Sequence, residues 1–256
     1  SQCMPQSKEE AEEWCHDLVH KQGCELVGLV CDSDSGLADS EKLTMWLPVS
    51  KHNGLNEARR DKFQMNQAVE AAGIPVLQQR LCETADEAVD FASKLGLTDC
   101  ESNHLRQTNS SNFVVVKPVR GCASEDVFLC KKLGDVRSAF DAILGSTKFG
   151  SPNEKHECVM IQEFAVGQEF AVDTISKDGE MKIAAVWIYD KRPVNNAPFV
   201  YHATKLYDGH HCEALYKYLR DCLRELGFRW GITRSEVILT RSGPRLVEVY
   251  CRQHNV

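Results

Sequence analysis

Glu236-Val237-Ile238-Leu239-Thr240-Arg241-Ser242-Gly243-Pro244-Arg245-Leu246-Val247-Glu248 is the stretch on which the fold reading turns. Two apolar strands flank Arg241-Ser242-Gly243, a loop suited to a hairpin. With three loop residues, Thr240 pairs with Pro244 and Glu236 faces Glu248. The pleat continues that face through Tyr250 and Arg252 and turns Val249 and Cys251 to the other side. Like charges directly opposite one another destabilise a sheet. A bridging cation reverses that sign, and Mg²⁺ favours one or two carboxylates plus substrate phosphates. Arg252 adds a positive fork suited to an anion. The alternative is a solvated hairpin face on which Glu236 pairs with a lysine.

Upstream, Val114-Val115-Val116-Lys117-Pro118 puts a lysine at the end of a buried strand, and Pro118 stops the ladder. Gly121-Cys122-Ala123-Ser124 follows as a small-residue loop whose N–H groups can approach phosphates, with the lysine as a point charge. An exposed edge lysine is the other reading. Gln162-Glu163-Phe164-Ala165-Val166-Gly167-Gln168-Glu169 lies between two strands. A chain passing from one strand to another leaves backbone N–H and C=O groups unpaired. Such groups can read an adenine edge while Glu169 accepts from ribose hydroxyls; an ordinary turn at Gly167 is the plainer possibility. Neither a G-x-x-x-x-G-K-[ST] nor a G-x-G-x-x-G pattern occurs.

Apolar spacing predicts a helix over residues 9–22 ended by Gly23, and a short strand from Leu26 to Cys31. A second helix is expected from Asn56 to Gly73, and a third opens on the capping box of Thr84 and Glu87 and closes at Gly96. Residues 99–112 read as a polar loop. From Phe113 onward the chain is strand-rich, with Asp178-Gly179 as a hairpin turn and helices near 135–144 and 211–226. This grouping suggests an α+β architecture with antiparallel sheets. The expected division is 1–54, the remnant of an N-terminal α/β domain, and 55–256. The second part comprises a helical linking stretch at 55–112, a small subdomain at 113–165 and a larger one at 166–256.

The 256 residues are 43% hydrophobic and 26% charged with a net charge of -7, and no basic stripe supports a nucleic-acid role. Twelve cysteines are scattered without any C-x-x-C, which points to reduced thiols and a cytoplasmic location. No apolar run reaches the roughly 20 residues of a membrane span. The chain starts at Ser1 and stops just after its most informative motif, as a fragment would. His210-His211-Cys212 reads as a polar helix start, because adjacent helical side chains diverge.

Taken in order, Arg59-Arg60-Asp61-Lys62, Gly73-Ile74-Pro75, Val116-Lys117-Pro118, Gly121 to Val127, Gln162 to Glu169 and Glu236…Glu248-x-x-x-Arg252 resemble the ATP-grasp superfamily. Trp187 to Lys191, Phe199-Val200-Tyr201 and Gly243 to Val249 look most like its L-amino-acid ligases, and Asp34 to Asp39 like the tail of their N-terminal domain. The resemblance implies two α+β subdomains gripping ATP. Lys62 and Lys117 would hold phosphates under Gly121 to Ser124. Gln162, Glu163, Phe164 and Ala165 would surround adenine, with Glu169 on the ribose. Glu236 and Glu248 would ligate Mg²⁺ or Mn²⁺, and Arg252 would be catalytic, holding the acyl phosphate or substrate carboxylate. The implied reaction joins a carboxylate and an amine, expected to be amino acids, through an acyl phosphate, and a homodimer is compatible with it. Two departures stand out. Family members usually carry asparagine where Tyr250 stands and histidine near Arg234, where a second cation would alter substrate handling or repel a cationic amine. These changes suit an alternative, a catalytically degenerate nucleotide-binding protein with a regulatory or scaffolding role.

Overall fold

A computed structural model describes residues 5–29, 31, 36–99, 113–121, 126–148, 151–194, 197–208 and 212–251. Ser124, Arg252, His210, His211, residues 32–35 and nearly all of the 99–112 loop lie outside them.

The N-terminal part is helical. In α1 (Lys8–Gln22) the Ser7 side chain accepts from the Glu10 N–H, and Gly23 ends the helix at φ 62°. A second helix, α2 (Leu37–Trp46), was not anticipated from the sequence. The predicted strand from Leu26 to Cys31 is reduced, among the described residues, to a single parallel bridge between Gly28 and Lys51. Among the described residues no strand continues that bridge into a ladder. The apolar run packs instead, with Leu26 and Leu29 against a small core of Ala11, Cys15, Leu43, Leu47 and Val49.

The single helix expected from Asn56 is two pieces. Asn56 caps a 3₁₀ turn at Glu57–Arg59, and Asp61 then restarts the chain as α3 (Lys62–Ala71) by accepting from the N–H groups of Phe63 and Gln64. That second cap sets Lys62 at a helix start.

Two antiparallel layers follow. The first contains β1 (Gln79–Cys82), α4 (Ala85–Lys94), β2 (Val114–Lys117), β3 (Phe128–Cys130), α5 (Leu133–Ile143), the small hairpin β4 (Thr147–Lys148) and β5 (Ser151–Lys155), and β6 (Val159–Glu163). Its sheet runs β1-β6-β2-β3. Helix α4 opens on the expected box of Thr84 and Glu87. Both helices bury Ala88, Ala92, Phe140 and Ile143 against Val114, Val116, Val159 and Ile161. Thus β1 and α4 join this layer rather than linking to it.

The second layer has β7 (Gly167–Lys177), β8 (Glu180–Val194), β9 (Ala197–Leu206), α6 (Glu213–Glu225), β10 (Gly231–Thr240) and β11 (Gly243–Tyr250), with strand order β11-β10-β7-β8-β9. Asp178 and Gly179 turn the first hairpin at φ 55° and 88°, as a primed turn requires. One sheet face packs Phe170, Val172, Val237, Leu246 and Val249 on α6 and α3, through Leu219, Leu223, Met65 and Val69. Each such side chain contributes roughly 1.5–3 kcal/mol of burial. Alternation therefore leaves Glu169, Glu236, Glu248 and Tyr250 on the opposite face, towards the first layer.

The β10–β11 register corrects one expectation. Thr240 pairs with Gly243 and Leu239 with Pro244, so the turn is one residue tighter than three. A bulge between Glu236 and Val237 then absorbs the difference, and Glu236 faces Glu248 after all.

Candidate active site

A cleft separates the two layers. It is lined by Lys62, Lys117, Gly121, Gln162, Glu163, Phe164, Ala165, Glu169, Glu236 and Glu248, so the structure gathers every described residue that the sequence nominated.

Its floor on the small sheet is the end of β2, where Lys117 is only 5% exposed. Burial, reinforced by the nearby Lys62 charge, lowers this ammonium to about 8. Lys62 enters from the start of α3; its Nζ donates to the Gly121 carbonyl at 2.9 Å and lies 2.6 Å from Glu248 Oε2.

On the large sheet the acidic pair meets across β10 and β11. Burial, with the Glu248 charge added, raises the Glu236 carboxyl to about 7. Glu248 is partly buried, yet the Lys62 ammonium outweighs burial and holds it below its ordinary value. The repulsion expected of facing carboxylates is thus divided unequally. The Tyr250 hydroxyl also donates to Glu248, and burial followed by the Glu248 charge keeps that phenol protonated far above its usual range.

Sequence reading missed Lys191. Its Nζ lies 2.6 Å from Glu169 Oε1 and 4.0 Å from Glu236 Oε2, flanked by the rings of Tyr189 and Tyr201 at 5.0 and 4.6 Å. Burial opposes the charge, but Glu236 and Glu169 overcome it and raise the Lys191 pKa. The available signal was a lysine at alternate spacing from Tyr189 within an apolar strand. Its partners Glu169 and Glu236 sit on other strands far away in sequence, so no local pattern announced them.

Between the layers, Glu163 still pairs with Val114 of the small sheet, and Gly167 already pairs with Thr240 of the large one. Phe164, Ala165 and Val166 belong to neither ladder. Phe164 stacks on Phe199 at 6.4 Å and meets Phe113 edge-on at 5.9 Å. Gly167 is no ordinary turn glycine: a Cβ there would stand 2.2 Å from the Leu239 carbonyl oxygen. The Gln162 amide donates to Gln79 Oε1 at 3.3 Å, so its NH₂ group is engaged within the protein.

Arg234, 4% exposed, places its guanidinium 5.3 Å from the Tyr189 ring. The register sets Asp173 directly opposite, so the cation has an acidic neighbour that the sequence reading did not supply.

The ATP-grasp domain family matches residues 110–253, which takes in both carboxylates and Lys117. The chain belongs to the ATP-grasp family. Among curated ATP-grasp relatives, dapdiamide A synthase of Enterobacter agglomerans is 31% identical over 220 residues, covering 85% of this chain and 48% of that protein. The chain therefore spans about half the length of that relative. Two solved structures share the ATP-grasp fold, each at TM-score 0.66 and 17% identity. The L-amino acid ligase of Bacillus licheniformis aligns with 96% of this chain and 54% of that one. An ADP complex of N5-carboxyaminoimidazole ribonucleotide synthetase aligns with 98% and 58%. No helix among the described residues is long and apolar enough to cross a membrane.

Proposed function

We propose that this chain carries the nucleotide site of an ATP-dependent carboxylate–amine ligase acting on amino acids in the cytoplasm. One observation carries the reading: Lys62, Lys117 and Lys191 converge with Glu236, Glu248 and Glu169 in a single cleft between two sheets. Its similarity to dapdiamide A synthase and its fold likeness to an L-amino acid ligase support the reaction class.

In this reading residues 113–165 and 166–256 are the two halves of the grip. Lys62 and Lys117 hold phosphates beside Gly121, with Ser124 in the same loop. The Glu163 carbonyl and the Ala165 amide read the adenine edge, Gln162 and Phe164 shape its slot, and Glu169 takes the ribose. Arg252 holds the acyl phosphate or substrate carboxylate.

The carboxylate pair fits a magnesium or manganese ion, because a buried and a partly buried acid face each other and the buried one resists ionising without further positive charge. When bound, the cation neutralises phosphate charge as the γ-phosphoryl group moves to a carboxylate. Lys62 and Lys191, which balance Glu248 and Glu236 in the structure, then serve as donors to phosphate oxygens. An amine displaces phosphate from the acyl phosphate. The protein's part is alignment and charge neutralisation, so no cysteine nucleophile is needed.

The test is phosphate release from ATP with pooled amino acids. Amine-dependent release by the wild type is expected; nucleotide binding without release would overturn the ligase reading. A second reading, nucleotide binding for regulation, is favoured by the Tyr250 hydroxyl on Glu248, which takes up one oxygen of a cation-binding acid. Release that appears only in Tyr250→Asn would establish it.

A further inference from the structure

The cleft face of the large sheet is organised in rows. Ile238 and Glu169 form the row at the ribose end. Glu248, Glu236, Ala171 and Trp187 form the next. Beyond them, roughly 7 Å further along the strands, lies a third row of Tyr250, Arg234, Asp173 and Ala185. If nucleotide runs from ribose to phosphate along the first two rows, the third lies past the phosphate end, where the reacting substrates belong.

Asp173 is the anomaly of that row. It is 8% exposed; its Oδ2 accepts from the Trp187 indole at 2.7 Å, and its Oδ1 is buried with no hydrogen-bond partner among the described residues. A buried carboxylate oxygen without a donor is costly and calls for an explanation. Backbone irregularity marks the same residue. The β7–β8 register shifts between Asp173 and Thr174, as β10–β11 shifts at Glu236 and β8–β9 at Lys191. Bulges re-aim side chains and gather beside active sites. Two of these three bulged charges line the nucleotide cleft. Asp173 has the same backbone device, with its Oδ1 unpartnered among the described residues.

We propose that Asp173 is the recognition carboxylate for the ammonium group of a zwitterionic α-amino acid whose carboxylate is held by Arg234. Trp187 fixes one oxygen of Asp173 and leaves the other for the ligand. The guanidinium opposite supplies the complementary charge in the same row. The assignment rests on the ligase reading above and adds the residues that select its amino acid substrate.

Calorimetry on the intact chain saturated with the non-hydrolysable analogue AMP-PNP and Mg²⁺ tests it. Single L-amino acids are titrated beside their matched 2-hydroxy acids. At least one amino acid is expected to bind, with its hydroxy acid weaker by roughly tenfold or more, as the loss of a charge-assisted hydrogen bond requires. Asp173→Asn is expected to weaken that amino acid to a similar degree and leave AMP-PNP affinity unchanged, which also reports that the variant is folded. Equal binding of the hydroxy acid, unchanged affinity in Asp173→Asn, or no amino acid binding by a chain that binds AMP-PNP would overturn the assignment. The first comparison needs no variant, so it stands if Asp173→Asn does not fold. Failure to bind AMP-PNP itself would overturn the nucleotide reading and this assignment together.

Discussion

The two sheets that enclose the cleft are built differently. The four-stranded sheet pairs without a register shift, and its contribution to the cleft is set by plain alternation and strand ends, Lys117 above all. The five-stranded sheet shifts register at Glu236, at Asp173 and at Lys191, with a fourth shift between Arg192 and Val194 nearer the hairpin end. A regular ladder places side chains by counting. A bulged ladder places them by local backbone geometry, and most of the site's charged groups come from the bulged one.

The contrast is broken most severely by removing a charge from each side. Lys117→Ala, on the regular sheet, is expected to lower kcat/KM for ATP by roughly 10²–10³, the scale of losing one pre-placed electrostatic partner. Coupled ADP assays, or nucleotide calorimetry, measure it. Lys191→Met, on the bulged sheet, removes the cation between Glu169 and Glu236. An affinity loss of roughly tenfold or more is expected, with Glu236 still harder to ionise. If Lys191→Met leaves nucleotide affinity intact, the bulge beside it has no functional meaning.

Gly167→Ala sharpens the comparison at the junction. Its added methyl meets backbone at Leu239, which cannot rotate away. A loss of about 1–3 kcal/mol in denaturant unfolding is expected. The smallest effect lies in the small layer. His156 is 3% exposed with its Nδ1 unpartnered, and burial, aided by the Lys148 charge, lowers its pKa. The unfolded chain therefore takes up a proton that the folded chain resists. Stability is held above the unfolded value of about 6.5 and falls as pH drops below it, by at most about 1.4 kcal/mol per pH unit. His156→Gln flattens that slope in chemical denaturation between pH 7 and 5. An unchanged slope would show that the ring takes up its proton as readily in the fold as in the unfolded chain.

Much of this was legible in the order of residues because period-2 alternation and end signals are local. The Thr84–Glu87 box, the Asp178-Gly179 turn and the Lys117 strand end all follow from neighbours in sequence. The Glu236–Glu248 pairing came out correctly for an incomplete reason. A turn counted one residue too long was offset by a bulge that no local signal announces. Lys191 and Asp173 went unassigned because the charges they meet lie on strands distant in sequence. The predicted strand from Leu26 to Cys31 failed differently, because a ladder needs a partner and propensity cannot provide one. Helix α2 has no side-chain cap, with Gly36 at its N-cap, so the usual start signal was absent.

Only Phe164, Ala165 and Val166 stand between the last paired residue of β6 and the first of β7. A span that short acts as a hinge pin. Gly167 clamps one end beneath Leu239, and Phe164 wedges the other between two rings. Any swing of one jaw against the other must then pivot at Phe164 to Val166, beside the proposed adenine slot. Under the proposed nucleotide reading, the base end would move least and the phosphate end most, so the mouth could open without disturbing the grip on the base.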